Sequence, residues 1–390
     1  MIRRLRLYTA TVPMATAFDH ATRSRRSAES VLVEVELDGG ARGWGEGAPR
    51  GYVTGETLHG AARAVRASDP SEPAARVDWR TFDGAVASIA RLPLPRLVDG
   101  PSAATAVEIA LLDAVCRRFG RPLADVLPVL DPPARVLRRE PVSVSCVIHL
   151  SQGVAAVLSA LPPGAVAALR HVKIKVADPV DAVKRLVRAR NLLPEHTRIS
   201  LDANGAWTVE EAEAVAGELD GIAWLEEPLA PRSWPELARL RHTTGLPLML
   251  DASCTRPGDL HTAARTGTAT HINVRLSKCG GFLAAARLAL RADALGLGCQ
   301  LGVHVAEVGP LWAAGRALAT SWGLWRAVEP GRCDEWFPEP LTRPAFAVDR
   351  LRHRVGPLPG PGTGIEPTGE LLRHARCLAT WRPGRGWRST

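Results

Sequence analysis

Six ionisable residues keep a common phase along the second half of this 390-residue chain. Lys175, Asp202, Glu226, Asp251, Lys278 and His304 follow one another at intervals of 27, 24, 25, 27 and 26 residues. They close or follow the short apolar runs HVKIKV, RISLDAN, IAWLEEP, PLMLDAS, HINVRLS and GCQLGVH, and amphipathic stretches such as 181–192 and 209–219 separate these runs. Strands alternating with helices build parallel βαβ units, and one such unit has about this length. VSVSCVI before the set and 325–328 after it bring the strands to eight, which predicts a (β/α)8 TIM-type barrel over residues 134–355. In that fold the strand ends meet on the face where active sites are built, so the phased residues converge. A doubly wound sheet is the rival, but no Gly-x-Gly-x-x-Gly opens any of these helices.

Residues 1–133 read as an α+β capping domain. Residues 2–11 alternate like a strand, SVLVEVEL at 30–37 is a second, and Asp38-Gly39-Gly40 turns into a return strand at 41–48. A largely apolar helix follows at 103–119, and Pro132-Pro133 ends the pattern. The Gly/Pro-rich segment 356–364 is a loop, and the tail 356–390 is expected to pack back on the capping domain and complete it. The polar loops 15–26 and 48–57 are placed to cover the barrel mouth, with Arg23, Arg25, Arg50 and Tyr52 as substrate-specificity residues for a polyanion or a second carboxylate.

The net charge of +9 raises the question of nucleic acid. The basic residues are scattered from Arg3 to Arg388, the densest cluster (Arg23, Arg25, Arg26) is short, and only two tyrosines and six phenylalanines could stack on bases. This excludes nucleic acid and leaves an attraction for small anions. Seven cysteines without a Cys-x-x-Cys pair argue against both a disulfide framework and zinc, and for a reducing compartment. No run reaches the roughly 18 apolar residues of a membrane span, and the N-terminus has no apolar signal core. A cytoplasmic homo-oligomer with a small-molecule carboxylate substrate is expected.

Three carboxylates at one barrel mouth, Asp202, Glu226 and Asp251, repel unless a cation joins them. All-oxygen ligands favour Mg²⁺ first and Mn²⁺ second. Asn204, two residues beyond Asp202, serves the metal site or the substrate. Only four of the 49 Lys and Arg residues are lysine, and three of them sit in this region. Lysine can give up its proton where arginine cannot, which marks Lys175 and Lys278 as acid/base groups on either side of a substrate α-carbon. Lys173 points into the barrel with Lys175, adds positive charge beside it, and is a candidate contact for the substrate carboxylate. The chemistry is α-proton abstraction with a metal-stabilised enediolate, giving a racemase, epimerase or cycloisomerase; a dehydratase shares the first step. A Schiff-base aldolase using Lys278, or a non-catalytic binder, are the readings from other classes.

The ordered set Lys-x-Lys (173–175), Asp-Ala-Asn (202–204), Glu-Glu-Pro (226–228), Asp-x-Ser (251–253) and Lys-x-Gly-Gly (278–281) resembles the enolase superfamily, in its mandelate racemase/muconate lactonizing family and the muconate cycloisomerase-like subgroup. Gly-Trp-Gly-Glu at 43–46 and Pro-Gly-Thr-Gly at 361–364 look like its capping domain. The resemblance implies Mg²⁺ on Asp202, Glu226 and Asp251, with Lys175 and Lys278 as the catalysts and Glu227 beside a ligand without being one. Ala252 stands where the family usually carries glutamate, and Arg275 where the subgroup often carries lysine, keeping positive charge near Lys278. The Asp-x-Asp of dipeptide epimerases is not evident near the eighth strand, where Glu329, Asp334 and Glu335 are the nearest acids; this argues against a dipeptide. In mandelate-racemase-like relatives a histidine at the position of His304 pairs with an aspartate, but Arg275 occupies the partner position. His304 is therefore expected to contact substrate or donate a proton, and Glu307 to act as an electrostatic or binding group.

Overall fold

The computed structural model describes residues 1–20, 23–130 and 138–390. The expected domain boundary at 133 falls outside the described residues. The N-terminal sheet begins with β1 (Ile2–His20), β2 (Arg23–Leu37) and β3 (Arg42–Gly47). The eight barrel strands are β4 (Cys146–Ile148), β5 (His171–Lys175), β6 (Arg198–Asp202), β7 (Trp224–Glu226), β8 (Leu248–Leu250), β9 (His271–Val274), β10 (Gly298–Leu301) and β11 (Trp325–Val328). They lie side by side in chain order, and every pair is parallel. A hydrogen bond from Ser145 N to Val328 O, 2.8 Å, joins the first strand's approach to the last strand. The (β/α)8 barrel with an N-terminal cap is thus observed. The C-terminal strands β12 (Ala375–Arg382) and β13 (Gly386–Ser389) extend the N-terminal sheet, in the order β13-β12-β1-β2-β3.

Sequence explains how cap and barrel fit. Gly43, Gly45 and Gly47 alternate on β3, so all three present one face to the helix Pro101–Arg118. A Cβ at any of them would overlap that helix's backbone. The helix is buried almost all round, and its alanines at 103, 104, 106, 110 and 114 permit the close approach. Two cap carboxylates then reach across to helix starts in the barrel domain. Glu46 accepts from the backbone N–H groups of Val308, Gly309 and Leu311, where the helix Pro310–Ala319 begins. Glu108 accepts from Leu283 N at the start of the helix Phe282–Ala294. Both satisfy donors that a helix leaves unpaired at its N-terminus.

The segment 15–26 is not the loop expected from its polarity. After an irregularity between Pro13 and Phe18 the β1–β2 ladder resumes, pairing Phe18 with Arg25, Asp19 with Ser24 and His20 with Arg23. Backbone pairing continues regardless of side-chain character, so polar composition misread a hairpin arm as a loop. Lys278 also differs from expectation: it lies on the single helical turn Leu276–Cys279 that follows β9, not on the strand. Among the described residues no helix is long and apolar enough to cross a membrane.

Candidate active site

The barrel's C-terminal face carries a cavity of about 220 Å³. One wall is Lys173, Lys175 and Asn204, with His149 from the first strand's end; another is Glu227, Asp251, Ala252 and Arg275. Tyr52 and Val53 of the cap close it from above, and Glu329, Arg332, Glu335 and Trp336 close it from the eighth strand's loop. The arrangement follows from strand register. Ile148 pairs with Ile174, Lys175 with Asp202 and Asp202 with Glu226, so His149, Lys175, Asp202 and Glu226 come up side by side on successive strand ends.

Lys173 is at the centre. Its ammonium lies 3.1 Å from Asp202 Oδ2, 2.8 Å from Glu226 Oε2 and 2.8 Å from Glu329 Oε1, with 1% of the side chain exposed. Burial alone would lower its pKa, but Asp202, Glu226 and Glu329 together hold it well above the usual lysine value. The charged form of Lys173 is therefore favoured by the carboxylates around it. It is a keystone of the cluster; the expected role of a free positive neighbour to Lys175 gives way to this.

Lys175 donates to Asn204 Oδ1 at 2.8 Å and to Asp202 Oδ2 at 3.3 Å. Asn204, held at φ 50°, returns its amide N–H to Asp202 Oδ1 at 2.7 Å. The three side chains lock one another at the cavity edge. Lys278 is enclosed: its ammonium donates to Asp251 O (2.6 Å), Asp251 Oδ1 (3.0 Å) and Asn273 O (2.6 Å). It lies behind Asp251, and Asp251, Ala252 and Arg275 form the wall at that point. An ammonium with three acceptors has no lone pair for a carbonyl, which disfavours the Schiff-base reading.

Asp202, Glu226 and Asp251 come together on adjacent strand ends, as their spacing implies. Their electrostatics diverge. Burial pushes Asp202 up, but Lys173, Lys175 and Arg275 overcome this and hold it below the usual carboxylate range. Burial is likewise overcome at Asp251 by Arg275, Lys278 and Lys173, giving about 2. At Glu226 burial wins, and the neighbouring Asp202, Asp251 and Glu329 add to it against Lys173, giving about 7. Among the described residues no three side chains are arranged as a metal cage. Lys173 bridges Asp202 and Glu226, and Arg275 is paired with Asp251 at 2.8 Å. The donor set nevertheless fits a hard divalent cation: it is all carboxylate, sits on consecutive strand ends, and includes a member whose ionisation its neighbours oppose.

Several expected roles are corrected. His304 does not border the cavity; it is 1% exposed and its Nδ1 donates to Ala48 O at 2.9 Å. Burial, Arg275 and Arg50 lower its pKa well below the ordinary value, so it is neutral and anchors the cap segment. Glu307 is buried away from the cavity and accepts from His304 N at 2.7 Å, and burial together with Glu46 pushes its pKa well above the ordinary carboxylate value. Arg50 is wholly buried and donates to the carbonyls of Glu29 (2.9 Å), Pro49 (2.9 Å) and Val305 (2.7 Å). It ties cap to barrel, because a buried guanidinium needs several acceptors at once. Arg25 pairs with Glu29 at 3.7 Å, off the cavity wall, and the Arg23 side chain lies outside the described residues. Of the four specificity candidates, Tyr52 lines the cavity. The charge of Arg275 is taken up by Asp251 and, at 3.8 Å, Glu226. Glu227, on the cavity wall, accepts from Asp251 N, Ser253 N and Ser253 Oγ, so its carboxylate is taken up by the Asp251–Ser253 segment.

Glu329 is a member of the charged cluster that sequence reasoning did not place in the site. Besides Lys173 it accepts from Val303 N at 3.0 Å. The signal was present: it follows His304 by 25 residues and continues the phase of the other six.

Comparison with known proteins agrees with this architecture. The enolase C-terminal domain-like family model matches residues 163–371, and the mandelate racemase / muconate lactonizing enzyme N-terminal domain matches residues 3–128. The chain is 27% identical over 314 residues to an L-Ala-D/L-Glu epimerase of Bacillus subtilis, covering 77% of this chain and 80% of the relative. The crystal structure of an N-succinyl Arg/Lys racemase from Bacillus cereus superposes with a TM-score of 0.80 at 22% identity, covering 96% of this chain and 99% of that one. A dipeptide epimerase from Cytophaga hutchinsonii, solved with Mg and D-Ala-L-Val, superposes with a TM-score of 0.78 at 19% identity, covering 97% and 99%. With both domain models matched over most of its length, the chain belongs to the mandelate racemase / muconate lactonizing enzyme family and is an enzyme of the enolase superfamily.

Proposed function

We propose that this isomerase racemises or epimerises the α-carbon of a carboxylate bearing an acylated amino group. The carrying observation is Lys175 on the wall of the cavity, its Nζ fixed by Asn204 and Asp202. Lys175 closes the second barrel strand and Lys278 follows the sixth, so the two stand on opposite sides of an eight-stranded mouth. Lys175 takes the α-proton on one face. Lys278, freed from Asp251 and still held by the Asn273 carbonyl, returns a proton on the other. Asn204 orients Lys175 and, with Asp202, holds the ammonium after transfer. Tyr52 and Val53 exclude water above the reacting carbon.

Asp202, Glu226 and Asp251 would hold Mg²⁺, in exchange for their present ion pairs with Lys173 and Arg275. When bound, the ion supplies positive charge to the substrate carboxylate and so acidifies its α-proton. The C. hutchinsonii enzyme solved with Mg supports this choice of metal. The relatives act, by name, on a dipeptide and on N-succinyl amino acids, which share an amide on the α-carbon. Glu329 is engaged by Lys173 and Val303 N, and Glu335 by Arg332. No wall carboxylate among the described residues is left to greet a free ammonium, which favours an N-acyl group without positive charge over a dipeptide.

The test is incubation in D₂O with MgCl₂ and a panel of N-acetyl and N-succinyl amino acids and dipeptides, following α-deuterium by mass spectrometry. Exchange is expected with an N-acyl amino acid and should fall 10²- to 10⁴-fold in Lys175→Ala. Absence of exchange across the panel, or a Lys175→Ala variant as fast as the parent, overturns the reading.

A further inference from the structure

Two carboxylate oxygens of Glu226 face different partners. Oε2 meets the Lys173 ammonium at 2.8 Å, while Oε1 accepts the Asn273 side-chain N–H, also at 2.8 Å. Asn273 sits on β9, is wholly buried, and gives its main-chain carbonyl to Lys278 Nζ at 2.6 Å. We infer that Asn273 is a positioning residue which fixes the carboxylate of Glu226 and the ammonium of Lys278 from a single strand position, coupling the metal ligand to the second lysine.

Three observations carry this. An amide is the neutral group that can orient a carboxylate without adding charge; a lysine or arginine would compete with a metal ion for the same oxygen, and an aspartate would repel it. The space for the amide is made on purpose by the neighbouring strand's end: Gly302 hydrogen-bonds Val274 O at 2.8 Å, and a Cβ there would overlap Asn273 Oδ1. Finally, the adjoining amide is different. Gln300, paired with Asn273 in register, is equally buried, but its Nε2 lies 3.4 Å from Glu226 Oε2 and 3.4 Å from Glu329. The short, directed bond belongs to Asn273.

This rests on the reading that Glu226 is a Mg²⁺ ligand, and the experiment separates the two. Mg²⁺ binding is titrated calorimetrically with MgCl₂ on the full-length wild type and on Asn273→Leu, Gly302→Ala and Gln300→Leu, each checked for folding by circular dichroism. Asn273→Leu removes the donor; Gly302→Ala displaces it and serves if the first variant fails to fold. Both should weaken Mg²⁺ binding about 10- to 100-fold, whereas Gln300→Leu changes it less than about threefold, the small loss due to a long, weak contact. α-Deuterium exchange in the two Asn273-directed variants should slow most for the substrate enantiomer whose exchange is lost in Lys278→Ala. Equal losses in Asn273→Leu and Gln300→Leu reveal a shared packing role and overturn the inference, as does an unchanged affinity in Asn273→Leu. A wild type that exchanges α-protons without taking up Mg²⁺ removes the metal reading as well.

Discussion

At the scale of single residues, charge balance in the barrel mouth decides which side chains can react. Lys173 pairs at once with Asp202, Glu226 and Glu329 in the buried cluster. Lys173→Met would leave buried carboxylates facing one another, a loss of about 3–5 kcal/mol when one partner of a buried ionic cluster is removed. Urea denaturation should show it even where the variant still folds. His304→Gln tests the opposite kind of residue. With the Ala48 anchor weakened, the segment carrying Tyr52 loosens, so KM should rise several-fold while kcat stays within about threefold; a kcat loss of 10²-fold or more would restore His304 to acid/base work. The positions of Lys175, Asp202, Glu226 and Asp251 could be read from phase, because a strand end fixes where a side chain emerges, whereas Lys278 lies on the helical turn beyond its strand. The direction taken by Arg50, His304 and Glu307 could not be read that way. A polar residue beyond a strand end points wherever acceptors lie, and those come from segments distant in sequence.

At the scale of elements, the Gly-Trp-Gly-Glu strand shows what a short motif encodes. Its glycines give β3 a flat face for the helix Pro101–Arg118, and its glutamate caps a helix in the other domain. Gly45→Ala should force the strand and helix apart and cost about 1–3 kcal/mol, the range for overpacking a tight core. A melting temperature equal to wild type would show that the close approach is not needed. Seven barrel strands were legible as short apolar runs, since a strand buried on both faces leaves a hydrophobic signature, while the eighth, Trp325–Val328, carries an exposed Arg326 and was the least marked. The β1–β2 arm was not, because its outer part is carried by backbone hydrogen bonds that composition does not report.

For the whole molecule, the cap and barrel are joined by buried ionisable groups, which makes their union pH-dependent. Glu108, at the start of the helix Phe282–Ala294, is raised from 4.5 to about 7 by burial, with the Leu283 and Phe282 N–H groups opposing. Below about pH 4.5 it is protonated in folded and unfolded chains alike. Between 4.5 and 7 only the folded chain keeps the proton, so rising pH costs stability, and above 7 the penalty is constant. The Glu108 share is on the order of 3 kcal/mol at most. Denaturation of wild type and Glu108→Gln across pH 4–8 should therefore diverge, with the variant losing less as pH rises; parallel curves would show that Glu108 ionises normally.

What the amino-acid order determined by itself was the repeating unit, eight strands with a polar residue at most of their ends beside a capping domain, while the resemblance of the ordered motifs at those ends pointed to the family. Those features are local and periodic, and a period survives without knowledge of any contact. Only the tertiary structure decided how the charges pair. It drew Lys173 into the middle of three carboxylates, placed Lys278 behind Asp251, turned Arg50 and His304 into bolts between domains, and brought Asn273 between Glu226 and Lys278. Each of these depends on which buried group finds a partner, and in a low-dielectric interior an unpaired charge is too costly for sequence neighbours alone to settle.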